Sequence, residues 1–285
     1  MDIAIGSQPG MWQRTSSDAH CSDVIAPGVA LLAVADGFGV VRGSGIGSVA
    51  LALLRDSLKR RVRGVDPASL RAALSAAFST SNARVYAQTG SHDDYVAGGA
   101  SLTAVLVTGD HAIVGHVGES RAYLARDGGL SLLTDDDALQ GEGWSPTRTT
   151  TPPTEARYGS LLTRTLGTQA TLEASVLHVR LMAGDSLVLC TDGVHRHISG
   201  DEIAYALGGT DGASDVVSRL LTMRKMRSAG EGGTLIIGRQ LSEVVPLASA
   251  GGFSAFAPRN IALACALLAI AALIALAIAH VVFGP

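Results

Sequence analysis

Short apolar runs separated by turn residues fill most of the chain, and the spacing within each run predicts its structure. Residues 31–35 form an apolar run that stops at Asp36-Gly37, which predicts a buried strand ending in a turn. Residues 48–61 and 67–88 carry apolar positions at helical spacing (Ala50, Leu53, Leu54, Leu58; Leu70, Ala73, Leu74, Ala77) and predict two amphipathic helices lying over a sheet. From Ala100 the runs shorten to 102–108, 112–117, 121–125 and 130–133. They are parted by Gly109-Asp110, by residues 118–120 and by Asp127-Gly128-Gly129. Such breaks accept the positive φ of tight hairpins, so an antiparallel meander is expected. Further strands are predicted at 172–180, at 186–190, where Asp192-Gly193 closes the run, and at 234–238. Helices are predicted at 199–207 and 213–223, the first opening on Ser199 with Glu202 three residues later, a capping-box spacing. Strand blocks interrupted by helix pairs argue for an α+β fold with a mostly antiparallel core.

The pattern changes at the C-terminal end. Residues 261–279 are all Ile, Ala, Leu or Cys, and Val281, Val282 and Phe283 extend the run past His280. Nineteen such residues make about 28 Å of helix, close to the roughly 30 Å hydrocarbon core of a bilayer, so 261–283 reads as a single membrane-spanning helix. The Pro-, Gly-, Ser- and Ala-rich stretch before it reads as a linker over 242–260, leaving residues 1–241 as the folded domain. The first ten residues show neither a basic nor an apolar leader region, and Arg259 flanks the helix with no Lys or Arg after it. The expected placement is therefore an inner (cytoplasmic) membrane, crossed once at the C-terminus, with the folded domain in the cytoplasm and its cysteines reduced.

Composition sharpens this picture. The 285 residues are 47% hydrophobic and 16% charged, with 22 Lys and Arg against 25 Asp and Glu for a net charge of −3. Those values exclude a disordered chain and a basic nucleic-acid binder, and the three cysteines exclude a disulfide scaffold. Every charged residue lies at or before Arg259, so the tail alone is wholly apolar.

Candidate chemistry sits where two apolar strands each end in Asp-Gly, at Asp36-Gly37 and Asp192-Gly193. A carboxylate at the rim of a core is partly desolvated and seeks a cation or a donor, and two such ends are able to share a metal. Either pair alone reads more readily as an ordinary strand-ending turn, because Asp-Gly is so common in turns. Five segments around them, in order, resemble the metal-dependent protein Ser/Thr phosphatases (the PPM or type-2C family). They are Ala35-Asp36-Gly37-Phe38-Gly39, Gly99-Ala100-Ser101-Leu102-Thr103, Val117-Gly118-Glu119-Ser120-Arg121, Leu162-Thr163-Arg164-Thr165-Leu166-Gly167, and the stretch from Gly184-Asp185 to Thr191-Asp192-Gly193. The resemblance covers about residues 1–240. It implies an antiparallel β-sandwich flanked by helices on both outer faces, a four-layer αββα arrangement. It also implies two Mn²⁺ or Mg²⁺ ions whose bridging hydroxide attacks phosphorus in line, and substrates that are phosphoproteins. Oxygen ligands suit these hard cations.

Carried over by position, the resemblance makes Asp36 the bridging ligand, gives Gly37 a ligating carbonyl, and adds Asp192 and Glu231 as ligands. Asp18 matches a carboxylate that orients metal-bound water, and Glu119 matches an Asp that in some members helps hold a third metal. For Glu119 and Arg121 the alternative is a hairpin turn with solvated charges. Several positions depart from the family. Ser17 stands where a metal-binding Glu is usual, Glu231 and Glu119 replace Asp, and the phosphate-gripping arginine has become Gln13, leaving Arg14 and Arg42 as phosphate-binding candidates. Two readings follow: a membrane-tethered phosphatase, or a weakened or inactive relative that binds phosphoproteins or a regulatory partner. Bacterial members commonly oppose Hanks-type Ser/Thr kinases, so such a kinase is the expected partner. Residues 140–154 are expected to form either a flap over the cleft or a plain surface loop.

Overall fold

In chain order the elements are β1 (Asp2–Gln8), β2 (Asp18–Ala26), β3 (Val29–Phe38), β4 (Val40–Val41), β5 (Ser44–Gly45), α1 (Ile46–Arg61) and α2 (Pro67–Thr89). They continue with β6 (Gly99–Thr108), β7 (His111–Val117), β8 (Arg121–Arg126), β9 (Gly129–Leu132), β10 (Ala138–Leu139), β11 (Leu161–Leu162), β12 (Ser175–Arg180) and β13 (Ser186–Cys190). The last are α3 (Asp192–His195), α4 (Gly200–Leu207), α5 (Ala213–Arg227) and β14 (Gly233–Arg239). This computed structural model describes residues 1–10, 17–38, 40–41, 44–89, 98–139, 161–209, 211–228, 230 and 232–240. The linker, membrane-helix and flap expectations fall outside them. Among the described residues no helix is long and apolar enough to cross a membrane.

Two five-stranded sheets, ordered β1-β14-β13-β8-β9 and β12-β7-β6-β3-β2, are antiparallel throughout. Side-chain alternation along β3 shows how they stack. Leu32 and Val34 join Val105, Leu124, Leu187, Leu189 and Ile236 in a layer drawn from both sheets, so that layer lies between them. Leu31, Ala33 and Ala35 point the other way and pack with Leu54, Leu58, Leu74 and Phe78 of α1 and α2. On the far side Val188, Cys190 and Ile237 pack with Ile203, Val217 and Leu221 of α4 and α5. The α+β class and the antiparallel sandwich with helices on both outer faces are thus as expected.

Helix ends follow local chemistry. Asp66 accepts the Ser69 N–H at 2.9 Å ahead of Pro67, and Ser199 and Glu202 close the predicted capping box on α4. α1 ends in Lys59, Arg60 and Arg61, placed to meet the negative end of its dipole.

Three sequence expectations need correction, and two strands went unpredicted. The stretch from Ala100 is not one meander: β7 pairs with β6 and β12, whereas β8 pairs with β13 and β9, so the chain changes sheets at residues 118–120. The edge of β7 that a hairpin would have used is taken by β12. Asp36-Gly37 does not end its strand, because β3 runs on to Phe38 with Asp36 opposite Ser101 and Gly37 opposite Ala100. Asp192 opens the short helix α3 instead of a turn. Strands β1 and β2 escaped the sequence pattern because both are half-buried edge strands, where mixed polarity blurs the period of two.

Candidate active site

The layer between the sheets is apolar along most of its length and polar at one end. On β3 the inward stripe Leu32, Val34 continues to Asp36; on β13 Leu187, Leu189 continues to Thr191; on β14 Ile236 gives way to Thr234. On β6 Val105 gives way to Thr103 and Ser101, and on β8 Leu124 and Ala122 give way to Ser120. Each strand therefore delivers a hydroxyl or carboxyl to the same end of the sandwich, where the sheets are held together by hydrogen bonds.

Asp18 and Asp36 face each other directly across β2 and β3, so their side chains share the inner face. From the other sheet the Thr191 hydroxyl donates to Asp18 Oδ2 at 2.8 Å, and Thr191 Oγ1 itself accepts the Thr234 N–H at 3.0 Å. Thr234 Oγ1 lies 2.8 Å from Ser7 Oγ on β1. Asp192 follows Thr191 and approaches from the opposite sheet, and its carboxyl and that of Asp18 lie close enough to act on the charge of Asp36. Burial, then the charges of Asp192 and Asp18, push the Asp36 carboxyl up to about 9, and burial raises Asp18 as well. Like charges so close cannot all ionise unless a cation joins them.

Two backbone contacts bring the parts together. A side chain at Gly37 would reach within 2.2 Å of Gly47 N, so only glycine lets the N-terminus of α1 sit against the end of β3. A Cβ at Gly193 would lie 1.8 Å from the Gly232 carbonyl oxygen, so the start of α3 abuts the chain entering β14. The Asp192 carboxyl turns back to accept the Gly193 N–H at 2.6 Å.

The sheet crossing supplies Glu119. Gly118 has φ +99°, and a Cβ there would meet Ser101 Oγ at 2.3 Å; the same Ser101 hydroxyl accepts the Glu119 N–H at 3.1 Å. His195 Nε2 donates to the Glu119 carbonyl at 2.9 Å, and burial pushes this imidazole down to about 4, so it is neutral near pH 7. The Glu119 carboxylate is paired with Arg196, and Arg121 makes a two-pronged pair with Asp136 at 2.9 and 2.7 Å. Both side chains are only 13% exposed, so neither is the solvated turn charge of the alternative reading.

A family model described as protein phosphatase 2C matches residues 13–226. The chain belongs to the protein phosphatase 2C family. The serine/threonine protein phosphatase PstP of Mycobacterium tuberculosis is 34% identical over 192 residues, which are 66% of this chain and 36% of PstP; the chain thus spans about a third of that relative's length. The solved S. agalactiae serine/threonine phosphatase matches with a TM-score of 0.72 at 24% identity, covering 84% of this chain and 99% of that one, a likeness of fold. The catalytic domain of PstP in complex with two manganese ions matches with a TM-score of 0.63 at 28% identity, over 82% of this chain and 96% of that one.

Within this phosphatase 2C chain, Asp18, Asp36, Gly37, Asp192 and Glu119 gather at one end of the sandwich, whereas Glu231, Arg14, Arg42 and Gln13 lie outside the described residues. Ser17 is half-buried, with its carbonyl oxygen against Gly47. Among the described residues no three His, Cys, Asp or Glu side chains form a ready-made cation cage, although the charges of Asp18 and Asp192 bear on Asp36. Their oxygen-only donor chemistry suits a hard divalent cation. Sequence reasoning missed Thr191, whose hydroxyl holds the Asp18 carboxylate, Thr234 and Ser101, which brace Thr191 and the Glu119 backbone, and Arg196. The inward stripe Leu187, Leu189, Thr191 was the available signal for the first, and the four-residue spacing from Asp192 for the last.

Proposed function

We propose that the chain is a metal-dependent protein serine/threonine phosphatase, tethered to a membrane by residues 261–283 with its catalytic domain in the cytoplasm. The observation that carries this reading is the meeting of Asp18 and Asp36 from one sheet with Asp192 from the other, crowded enough to push the Asp36 carboxyl up to about 9. Asp36, the Gly37 carbonyl, Asp192 and Glu231 would hold two Mn²⁺ or Mg²⁺ ions, in keeping with the two manganese ions of the PstP catalytic domain. Bound there, such ions supply Lewis acidity that neutralises phosphoryl oxygens and acidifies a water.

The chain's own groups do the rest. Asp18, fixed by the Thr191 hydroxyl, orients a water at the rim of the cluster. Arg14 and Arg42 would meet the substrate phosphate. The substrates are phosphoserine and phosphothreonine proteins, a Hanks-type kinase among the candidates, and tethering raises their effective concentration without any new contact. A second reading, a phosphoprotein-binding relative without turnover, is favoured by Ser17, a neutral and poor ligand for a hard dication.

The test uses the full chain in detergent. Mn²⁺ at about millimolar concentration should raise the melting temperature, the response of any folded state that binds a ligand. A phosphothreonine peptide should then be hydrolysed, with Asp192→Asn lowering the rate by at least about 100-fold, beyond the loss typical of outer-shell partners. Stabilisation without hydrolysis selects the second reading. Absence of stabilisation also overturns the phosphatase reading.

A further inference from the structure

Arg196 caps the C-terminal end of α3, four residues after Asp192. Its guanidinium divides between two carboxylates from different elements: Nη1 lies 3.1 Å from Asp192 Oδ2, and Nη2 donates to Glu119 Oε2 at 2.7 Å. Neither carboxylate is loosely held. Glu119 is pinned through its backbone by Ser101 and His195, and the other oxygen of Asp192 accepts the Gly193 N–H. The side chains of Glu119 and Asp192 are 13% and 19% exposed, so this is a partly desolvated bridge and not a surface pair of little consequence. Without the guanidinium, two fixed carboxylates would face the common space it now fills at the end of α3, an oxygen donor pair of the kind that takes up hard dications. A planar fork with its positive charge delocalised satisfies both at once.

We infer that Arg196 is a built-in cation that closes the Asp192–Glu119 pair to a divalent ion, and so sets the number of metal ions this cluster accepts. The inference rests on the metal-binding reading of the cluster given above. Arg196 acts here as a positioning residue: it holds Asp192 toward Asp36 and keeps Glu119 from serving as a ligand.

The test counts Mn²⁺ ions per chain by titration calorimetry on the full chain in detergent, in wild type and in Arg196→Gln. The expected result is one additional ion in the variant, and return to the wild-type count when Glu119→Gln is added. An unchanged count in Arg196→Gln, whatever happens to affinity or activity, overturns the inference and leaves the phosphatase reading standing. A wild type and variant that both bind no Mn²⁺ defeat the two together. Arg196→Met, which keeps the long apolar stem, is read in place of Gln if that variant does not fold. In the wild type itself, the Arg196 guanidinium resonance should hold its position at saturating Mg²⁺; its displacement by the ion also overturns the inference.

Discussion

Asp36 carries a tension that only its surroundings explain. A free aspartate ionises near 3.8, yet burial and the neighbouring Asp192 and Asp18 raise this one to about 9. Between those values the metal-free folded state keeps a proton that the unfolded chain has released, so stability falls as pH rises from about 4 towards about 9. Asp36→Asn removes the titration while keeping the shape. Calorimetry in a chelator should show the Asn variant melting above wild type at pH 8 by at least about 1 kcal/mol, or about 2–4 °C, with the gap closing towards pH 4. A gap that does not change with pH would mean that the crowding of carboxylates is not felt. The sequence showed Asp36 and Asp192 as strand-end carboxylates, and its spacing pointed at Thr191 and Arg196, but it did not show that Thr191 bonds Asp18 or that Arg196 reaches Glu119. Those contacts join residues of opposite sheets or of a helix and a crossover, and a pattern of polarity along one strand cannot register them.

At the scale of elements, the site depends on close backbone approaches more than on helix strength. The start of α3 touches the entry to β14 at Gly193, where an added Cβ would lie 1.8 Å from a carbonyl oxygen that belongs to backbone and cannot swing away. Gly193→Ala should cost about 1–3 kcal/mol and strongly reduce peptide hydrolysis, since it separates Asp192 from the chain leading into β14. Ser199→Ala, which removes the α4 cap, should cost a similar amount, about 1 kcal/mol, with kcat unchanged. Chemical denaturation beside steady-state kinetics separates the two; equal kinetic losses in both variants would show that activity simply follows stability. Most elements were legible because long apolar runs with clear turn residues carry their own signal. The edge strands β1 and β2 were not, since one half-buried face and an open edge leave a mixed pattern.

For the whole molecule, the proposed tether makes a direct prediction. The full chain should sediment with membranes and be released by detergent but not by high salt or alkaline carbonate, while a chain ending at residue 241 should stay in the supernatant. Release of the full chain by salt alone would rule out a spanning helix. The sequence by itself determined the antiparallel α+β class, the uneven spread of apolar residues and the phosphatase 2C motifs, because periodicity, turn chemistry and motif order are local along the chain. The tertiary structure decided where the chain changes sheets, that Asp18 stands opposite Asp36, and that Arg196 bridges Asp192 and Glu119. These depend on which strand edges remain open to pairing and on which charges are forced together at the polar end of a shared core, and only the folded packing of two sheets sets either.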